Sequence, residues 1–472
     1  MPLTLYNSLT RSLQPFTPIR PGEARVYTCG PTVYNYQHIG NMRAFLFADT
    51  LGRALRSEGY ALTHIINITD VGHLTSDADE GEDKMERAAA TRGQSIWEIA
   101  AHYTDAFKRD VARLNIVAPA EWTVATDFVP EMIEFARAIE GNCYLIEGGL
   151  YFDVSRVPDY GALARAATDE GESRIDPVSG KRNPQDFAIW RRSPPGEQRQ
   201  MEWDSPWGRG APGWHLECSV MSRARLGHPF DIHTGGIDHR EIHHPNEIAQ
   251  NQAFCGCDDP GARWWMHNNF LVDRRGKMSK STGEFLTLQR LVDAGYHPLA
   301  YRLLCLQAHY RSELEFSWDN LQAAFTRLKR LVQAVERLRA RCEAEPAGDR
   351  ALPEVAEARA AIADDLNTAR ALVALETVVA GKRQAGDRLA AAIEIDRMLG
   401  LGLDTLTRAD LRVRPAAATI EADAVEQALA ARKDARAAKD FARSDAIRDK
   451  LSAHGVEVMD GDPLGWEWKP DA

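Results

Sequence analysis

The apolar and polar positions near the start of the chain predict a strand, a helix and a second strand. The first strand covers 25–28 and leads into a turn at 29–31, which contains glycine and proline. A helical pattern begins after Gly40, with apolar residues on one stripe at Phe47, Leu51, Ala54 and Leu55. Gly59 can cap that helix, and the isoleucine-rich segment 61–69 is typical of the next strand. This order predicts a parallel sheet with a right-handed crossover.

Beyond this unit the pattern changes three times. Residues from about 119 to 212 are rich in proline, glycine, tryptophan and charge, which indicates an insertion. Two further strands of the α/β domain are predicted at 231–233 and 267–272. From about 318 to 399 the chain is rich in alanine, leucine and arginine, which indicates helices. A looser stretch at 400–419 follows.

These changes give the domain prediction. At 472 residues the chain is too long for one core, so several domains are expected. We predict an α/β domain over 1–315 with the insertion inside it, a lysine-bearing region at about 267–315, a helical bundle over 316–400 and a small unit over 420–472.

The composition is that of a soluble globular protein, with 44% apolar and 26% charged residues. No stretch has the apolar length of a membrane span, and the N-terminus lacks the pattern of an export signal. Seven cysteines without framework spacing predict a reducing, cytoplasmic setting and no disulfides. The net charge of −11 argues against a polyanionic partner, but phosphate contacts depend on where the basic residues lie.

The segment 38–41, His-Ile-Gly-Asn, stands at the start of the predicted helix and suits a phosphate site. A helix start presents unpaired N–H groups and a partial positive charge. Gly40 has no side chain to obstruct a nucleotide, and His38 and Asn41 can both donate hydrogen bonds to phosphate oxygens. By itself the segment is equally compatible with an ordinary helix start.

Lys277 and Lys280 lie three residues apart in a segment bracketed by Gly276 and Gly283. Such a loop can close over pyrophosphate and offer it two ammonium groups, although a lysine pair usually marks a solvated basic loop. The two segments together favour an ATP site in two halves. The sequence contains no Gly-x-x-x-x-Gly-Lys-Ser/Thr element, which disfavours a P-loop protein.

These two segments resemble the signature sequences of class I aminoacyl-tRNA synthetases. Further segments are similar to the cysteinyl-tRNA synthetase family in particular: 27–34, 213–219, 243–250, 308–312 and 364–368. The resemblance covers nearly the whole chain. It implies an α/β fold with a Rossmann-like parallel-sheet catalytic domain and an insertion, followed by a helical bundle and a small C-terminal anticodon-binding unit.

The chain departs from the family pattern at several positions. The first signature commonly ends in histidine and here ends in Asn41, which can still donate to a phosphate. Residues 71–84 differ from the acidic and lysine-containing stretch that is usual there. The resemblance implies that Asp238 contributes to the ATP site, although residues 239–241, His-Arg-Glu, replace apolar residues after it.

The resemblance also implies one metal site per chain, formed by Cys29, Cys218, His243 and Glu247. His243 and Glu247 are four residues apart, which puts both on one face of a helix. Two thiolates, an imidazole and a carboxylate suit Zn²⁺ best. Zinc binds a thiolate strongly and a hydroxyl weakly, so it can separate cysteine from serine where the shape of a pocket cannot.

Family resemblance assigns Trp214 and Thr69 to the cysteine pocket. His244 and the pair Cys255 and Cys257 are rival metal ligands, but Cys-x-Cys is common and idle thiols are expected there. The remaining cysteines are expected to fill the core: Cys143, Cys305 and Cys342.

The C-terminal unit contains a candidate nucleic-acid surface. Four basic residues are spaced for one stripe on a single helix: Arg432, Arg436, Lys439 and Arg443. The alternative is a solvated helix with ordinary ion pairs. Trp466 and Trp468 could stack on bases or fill a small core. The resemblance favours nucleic-acid binding, because this segment matches the anticodon-binding unit of the family.

The function that the resemblance implies is ligation of L-cysteine to its tRNA, with ATP, Mg²⁺ and a cysteinyl-adenylate. His38, Asn41, Lys277 and Lys280 are the predicted catalytic residues. We expect a cytoplasmic monomer without membrane contact. Two alternatives are open: a ligase that joins cysteine to an amino sugar in mycothiol synthesis, and an inactive tRNA-binding paralogue. The long helical region disfavours the first, and the intact signature residues disfavour the second.

Overall fold

The protein is described by a computed structural model that covers residues 2–71, 95–164, 180–194, 196, 199–273, 276–277, 286–342, 344 and 352–471. Within these ranges, no helix has the length and apolar character that crossing a bilayer requires.

A five-stranded sheet forms the centre of the N-terminal part. In spatial order its strands are Ala262–Asn268, Phe230–Gly236, Glu23–Thr28, Ala61–Ile68 and Glu121–Val124. All neighbouring pairs are parallel, so the five carboxyl ends meet at one edge. Chain order runs outward in both directions from Glu23–Thr28, and the crevice beside such a strand is where parallel sheets bind ligands.

The predicted strand–helix–strand unit and the α/β fold class are confirmed. The helix covers Ile39–Ser57, and Gly59 follows its end with a φ of +86°. The strand predicted at 267–272 is two strands, Ala262–Asn268 and Leu271–Asp273, because the chain leaves the central sheet between them.

The predicted insertion, about 119–212, contains two structures. Its first strand, Glu121–Val124, pairs with Ala61–Ile68 and forms one edge of the central sheet. A separate antiparallel sheet follows, with strands Cys143–Ile146, Gly149–Phe152, Phe187–Arg192 and Gly210–Pro212.

The other described strands form three small sheets. Thr4–Asn7 pairs with Ser12–Pro15, Leu271–Asp273 pairs with both Gly276–Lys277 and Leu314–Glu315, and Val456–Val458 pairs with Trp466–Trp468. Short 3₁₀ turns occur at Ala125–Phe128, Glu140–Asn142 and Val154–Arg156.

The helices fall into three groups along the chain. Besides Ile39–Ser57, the N-terminal part contains Ile96–Arg113, Val129–Ala138, Leu216–Leu226, His243–Cys255, Leu288–Asp293 and Pro298–Leu306. The second group comprises Trp318–Cys342, Pro353–Ala363, Thr368–Ala380 and Ala385–Leu399. The C-terminal pair is Ala422–Ala437 and Phe441–Ala453.

Arg302 joins the first two groups from a fully buried position. Its guanidinium donates to the carbonyl oxygens of Leu399 at 2.7 Å, Leu114 at 2.9 Å and Asn115 at 3.1 Å, and it pairs with Asp49. Burial opposes the charge of Asp49, but attraction to Arg302 and its neighbours outweighs that effect and lowers the pKa of the carboxyl group.

The predicted single helix with four basic residues is wrong. The helix Ala422–Ala437 ends before Lys439, whose φ is +57°, and the next helix begins after Asp440. Arg432 is buried, and together with Arg436 it pairs with Asp460. Trp466 and Trp468 are buried in a small core with Val425, Leu451 and Val456, which agrees with the core alternative.

The expectation of no disulfides is also wrong. Cys255 and Cys257 are joined at the C-terminal end of the helix His243–Cys255. Gly256 between them has the left-handed backbone conformation, which turns the chain so that the two side chains meet. Cys143, Cys305 and Cys342 are half-buried thiols, and the first two pack against the core rather than within it.

Candidate active site and metal centre

A cavity of about 360 Å³ opens at the carboxyl edge of the central sheet. Its wall combines the helix start at 38–41 with residues that follow three neighbouring strands, namely Cys29, Asp238 and Asn269. The cavity therefore lies in the crevice beside the strand at which chain order reverses.

His38 caps the helix Ile39–Ser57, and its Nδ1 accepts a hydrogen bond from the Asn41 N–H at 3.2 Å. The contact holds the ring against Gly40, where a Cβ atom would lie 2.9 Å from the imidazole. Because Nδ1 accepts, the neutral ring carries its proton on Nε2. His38 can therefore cap the helix and donate to a phosphate oxygen at the same time.

Lys277 lies in the strand Gly276–Lys277, which pairs with Leu271–Asp273, rather than in a loop as predicted. The antiparallel pairing carries the chain back along a strand that borders the cavity. Lys280 lies outside the described residues, and so does 72–84 of the divergent stretch. After the lysine segment, Leu286 accepts a hydrogen bond from the Ile39 N–H at 2.8 Å. Both flanks of the segment are thus attached beside the cavity.

The four predicted metal ligands come together, and all are buried: Cys29, Cys218, His243 and Glu247. Their ligand atoms lie within 4.8 Å of one another. The two sulfur atoms are 3.9 Å apart, and His243 Nε2 is 3.4 Å from Cys218 Sγ and 3.1 Å from Glu247 Oε1. Tetrahedral zinc ligands at bond lengths of about 2.0 to 2.3 Å are separated by roughly 3.3 to 3.8 Å. The donor types and spacings fit a zinc ion.

The electrostatics of this cluster favour a cation. Burial raises the pKa of the Cys29 thiol to about 11 and that of Cys218 well above its ordinary value. Burial acts in the same direction on Glu247, but His233 and His243 outweigh it and lower the carboxyl pKa to about 2. Burial opposes the charged form of His243, yet Cys218 and Glu247 raise its pKa to about 10. A bound cation would favour the thiolate forms that burial opposes.

A second buried group overlaps the first and consists of Cys29, His233, His244 and Glu247. His244 Nε2 is 3.3 Å from Cys29 Sγ, so this rival ligand also borders the centre. His244 Nδ1 is in turn 2.8 Å from His267 Nε2. Such contacts fix the orientation of imidazoles around a metal.

Sequence reasoning missed four histidines around the centre: His215, His233, His239 and His267. His215 Nδ1 lies 3.0 Å from His243 Nδ1, on the side of the ring that faces away from Cys218. His233 and His267 lie in adjacent strands of the central sheet. Knowledge of the spatial order of the strands would have placed these two histidines near Cys29, but the local sequence pattern does not indicate that order.

The two residues predicted for the cysteine pocket are placed differently. The ring of Trp214 lies 4.8 Å from that of His243 and lines the cavity. Thr69 is buried, and its hydroxyl donates to Glu217 at 3.0 Å and accepts from the Asn67 amide at 2.9 Å. Burial raises the pKa of Glu217 to about 8. Trp214 can contact a ligand directly, and the contact of Thr69 with cysteine stays a prediction.

Asp238 lines the cavity two residues after the strand Phe230–Gly236. A Cβ atom on Gly236 would lie 2.5 Å from Asp238 Oδ1, so a larger residue there would make the carboxylate move. An acidic side chain near a strand end suits a ribose hydroxyl. The role of Asp238 in ATP binding stays a prediction.

Two family models match the chain. One is described as tRNA synthetases class I (C) catalytic domain and matches residues 15–326. The other is described as Cysteinyl-tRNA ligase anticodon binding domain and matches residues 421–463.

Relatives with the name Cysteine–tRNA ligase match over nearly the full length. The protein of Novosphingobium aromaticivorans is 66% identical, over 99% of this chain and 97% of its own. The protein of Zymomonas mobilis is 52% identical, over 100% of this chain and 98% of its own.

Solved structures support the same fold. The chain is similar to methionyl-tRNA synthetase of Mycobacterium tuberculosis bound by methionyl-adenylate, with a TM-score of 0.52, 14% identity, and coverage of 80% of this chain and 90% of that one. It is also similar to the LeuRS of Agrobacterium radiobacter K84 in a ternary complex, with a TM-score of 0.56, 13% identity and coverage of 82% and 84%.

Proposed function

The chain belongs to the cysteinyl-tRNA synthetase family of class I aminoacyl-tRNA synthetases, and we propose that it charges tRNA with L-cysteine through a cysteinyl-adenylate. In the first step, a carboxylate oxygen of cysteine attacks the α-phosphorus of ATP, and the bond to the β-phosphate breaks to release pyrophosphate. In the second step, the terminal ribose hydroxyl of the tRNA attacks the cysteinyl carbonyl carbon, and AMP leaves. No side chain has to act as a nucleophile.

The observation that carries this proposal is that one cavity contains two different chemistries. The helix start with His38 and Asn41 suits phosphate, and the buried cluster that includes Cys29 and His243 suits a thiolate. We call the side of the cavity with Cys29 and His243 the thiol end and the side with His38 and Asn41 the phosphate end. A cysteine with its sulfur at the thiol end can direct its carboxylate towards a nucleotide at the phosphate end. Holding the two reactants in this geometry is itself a large part of catalysis.

The predicted ligand set would hold one zinc ion, with His215 behind His243 to orient the ring. When bound, zinc supplies a strong preference for a thiolate over the hydroxyl of serine. Trp214, packed beside His243, forms the adjoining wall against which the substrate lies. Discrimination at this step removes the need for a separate editing reaction.

At the phosphate end, His38 donates from Nε2 and Asn41 from its amide to oxygens on which charge develops. Lys277 and Lys280 stabilise the departing pyrophosphate, with Mg²⁺ accompanying ATP. The described residues on either side of 278–285 are attached beside the same cavity, at 276–277 and at 286–287.

The first test is cysteine-dependent exchange between pyrophosphate and ATP in protein whose zinc content has been measured. Exchange with cysteine and not with serine is expected. Lys280→Ala should slow exchange about 100- to 1,000-fold, because it removes a donor that acts on developing charge. The dissociation constant for cysteine should change less than about threefold. An equal loss of cysteine affinity and exchange rate would contradict the role of the lysine.

The acceptor is tested separately. The match of residues 421–463 to an anticodon-binding model supports tRNA. Transfer of activated cysteine to an amino sugar in place of tRNA would favour the alternative ligase. Absence of exchange in zinc-replete protein would instead favour an inactive tRNA-binding protein.

A further inference from the structure

His239 lies at the wall of the cavity, and neither the ligand set nor the proposed phosphate contacts include it. It belongs to the turn between the strand Phe230–Gly236 and the helix His243–Cys255. Its N–H donates to the Gly236 carbonyl at 3.0 Å, and its own carbonyl accepts from the His244 N–H at 2.8 Å. The turn is therefore fixed on both sides of the side chain.

Two histidines of the thiol end pack against the ring of His239. Its centroid is 5.3 Å from that of His243, and it stacks on His244 at 5.4 Å with an interplanar angle of 28°. Nδ1 is buried, makes no hydrogen bond within the described part of the chain, and lies 3.7 Å from Asp238 Oδ1. About 25% of the side chain is exposed, and the residue lines the cavity. Because Nδ1 is buried, Nε2 is the ring nitrogen that is left to face the cavity.

The neighbouring carboxylate decides what this edge can bind. Asp238 favours the tautomer with the proton on Nδ1, which leaves Nε2 as an acceptor. Among the described residues that line the cavity, Asp238 is the one carboxylate, and lysine and arginine are absent. This side of the wall therefore attracts a cationic group that can donate hydrogen bonds.

The distance from the bound sulfur indicates which cationic group this side of the wall binds. In cysteine, the ammonium nitrogen is separated from the sulfur by two carbon atoms. A sulfur bound beside His243 brings the ammonium group next to the ring that packs against His243. The ribose of a nucleotide is further from the sulfur, because the carboxylate and the α-phosphate lie between them. It can still reach the carboxylate of Asp238, which is 53% exposed. A phosphate oxygen would be repelled by Asp238.

We propose that His239, oriented by Asp238, binds the α-ammonium group of the cysteine substrate through Nε2. The assignment rests on the proposed function, because it places the sulfur among Cys29, Cys218 and His243. It makes His239 a substrate contact and Asp238 a positioning residue for that contact. The wall would then recognise the amino acid at both ends, by its thiolate and by its ammonium group.

The test uses two ligands that differ in the ammonium group. L-cysteine and 3-mercaptopropionate, which has the thiol and the carboxylate alone, are titrated calorimetrically into zinc-loaded protein. His239→Leu should weaken cysteine binding about 10- to 100-fold, the effect of losing a hydrogen bond to a charged group. Binding of 3-mercaptopropionate, the zinc content and the affinity for ATP should each stay within about twofold.

Two further variants sharpen the result. His239→Gln keeps an acceptor at the site and should recover part of the cysteine affinity; it also serves if the leucine variant fails to fold. His102→Leu changes an exposed histidine on the helix Ile96–Arg113 and should leave both ligands unaffected. Equal weakening of both ligands by His239→Leu, or loss of ATP affinity with cysteine affinity intact, would overturn the ammonium site. Failure of the wild type to bind cysteine would overturn the proposed function as well.

Discussion

The thiol end of the cavity and the C-terminal unit hold their ionisable groups in opposite ways. At the thiol end, four ligand side chains from three separate elements converge below the surface. In the C-terminal unit, Asp460 is 53% exposed and pairs with Arg432 and Arg436 from one side. The first arrangement depends on the central sheet, whereas the second requires only one helix and one turn.

The difference in burial changes the free energy that is lost when one group is removed. Breaking a buried polar cluster leaves partners that water cannot reach, so the loss of one member is costly. An exposed ion pair is screened by water, and its loss costs little. We therefore expect single substitutions to have large, specific effects at the thiol end, and the C-terminal unit to depend on its apolar core more than on any one charge.

The largest effect is expected from Cys218→Ser, which changes one buried thiol of the cluster. Zinc content and cysteine-dependent exchange should fall together, with exchange reduced by more than about 100-fold. Metal analysis beside the exchange assay measures both. Cys143→Ser, at a half-buried thiol elsewhere, is the control. Full zinc retention by Cys218→Ser would remove this residue from the set.

Trp466→Ala tests the other side of the comparison. Trp466 is 1% exposed and donates a hydrogen bond to Glu426 within a core of few side chains. Its removal should destabilise the C-terminal unit by about 3 to 5 kcal/mol and reduce tRNA charging, while exchange stays unchanged. Calorimetric unfolding and the two assays give these values.

Phe441→Ala is the matched control for that experiment, since Phe441 is 62% exposed and its removal should leave stability unaltered. A fall in pyrophosphate exchange with Trp466→Ala would show that the two regions are coupled, contrary to the comparison.

The pH dependence of stability should separate the regions next. Burial lowers the pKa of His64, in the central sheet, from 6.5 to about 4, although Asp49 opposes the shift. The unfolded chain binds a proton there at higher pH than the folded chain does. The contribution of the neutral His64 to the free energy of unfolding is therefore fully present above pH 6.5 and is lost as the pH falls towards 4. About 2 kcal/mol of it is lost by pH 5.

Urea unfolding at pH 7.5, 6 and 5 measures this loss, and His64→Gln should flatten the profile. The pKa of Asp460 is lowered to about 2, chiefly by its hydrogen bond from Arg432. Its contribution is thus lost only as pH falls from about 4 towards 2. A C-terminal transition that weakens between pH 7.5 and 5 would contradict this order.

The smallest effect is expected from Arg443→Ala on the exposed surface. Arg443 should contact phosphate, so its removal should weaken tRNA binding about three- to tenfold and reduce the salt dependence by about one phosphate contact. Arg432→Ala should instead leave tRNA affinity unchanged and act on stability through the packing of its buried side chain, since its ion pair with the exposed Asp460 is screened by water. Equal effects of the two variants on tRNA affinity would mean that both contact nucleic acid.

How far the sequence predicts these regions depends on the range of the interactions. The pattern around 25–69 predicts the strand–helix–strand unit because its apolar periods are local. Cys29 and Cys218 are 189 residues apart, and only the resemblance to a known family connects them.

The prediction of one basic stripe in the C-terminal unit was wrong because it required a single continuous helix. The positive φ of Lys439 ends that continuity, and nothing in the spacing of the basic residues indicates it. His233 and His267 escaped notice because a buried strand histidine looks the same whether it borders a metal or fills a core.

The contacts of Arg302 limit how this protein can be recombined with its relatives. A chimera with a crossover between 302 and 399 would take the guanidinium from one parent and the Leu399 carbonyl from the other. A crossover just before 302 keeps those two together but separates Arg302 from Asp49. Any residue at 399 supplies a carbonyl, but the Asp49 carboxylate has to be inherited with Arg302. The second hybrid therefore risks leaving a buried charge unmatched, and an exchange of the C-terminal half between two enzymes should treat positions 49 and 302 as one inherited pair.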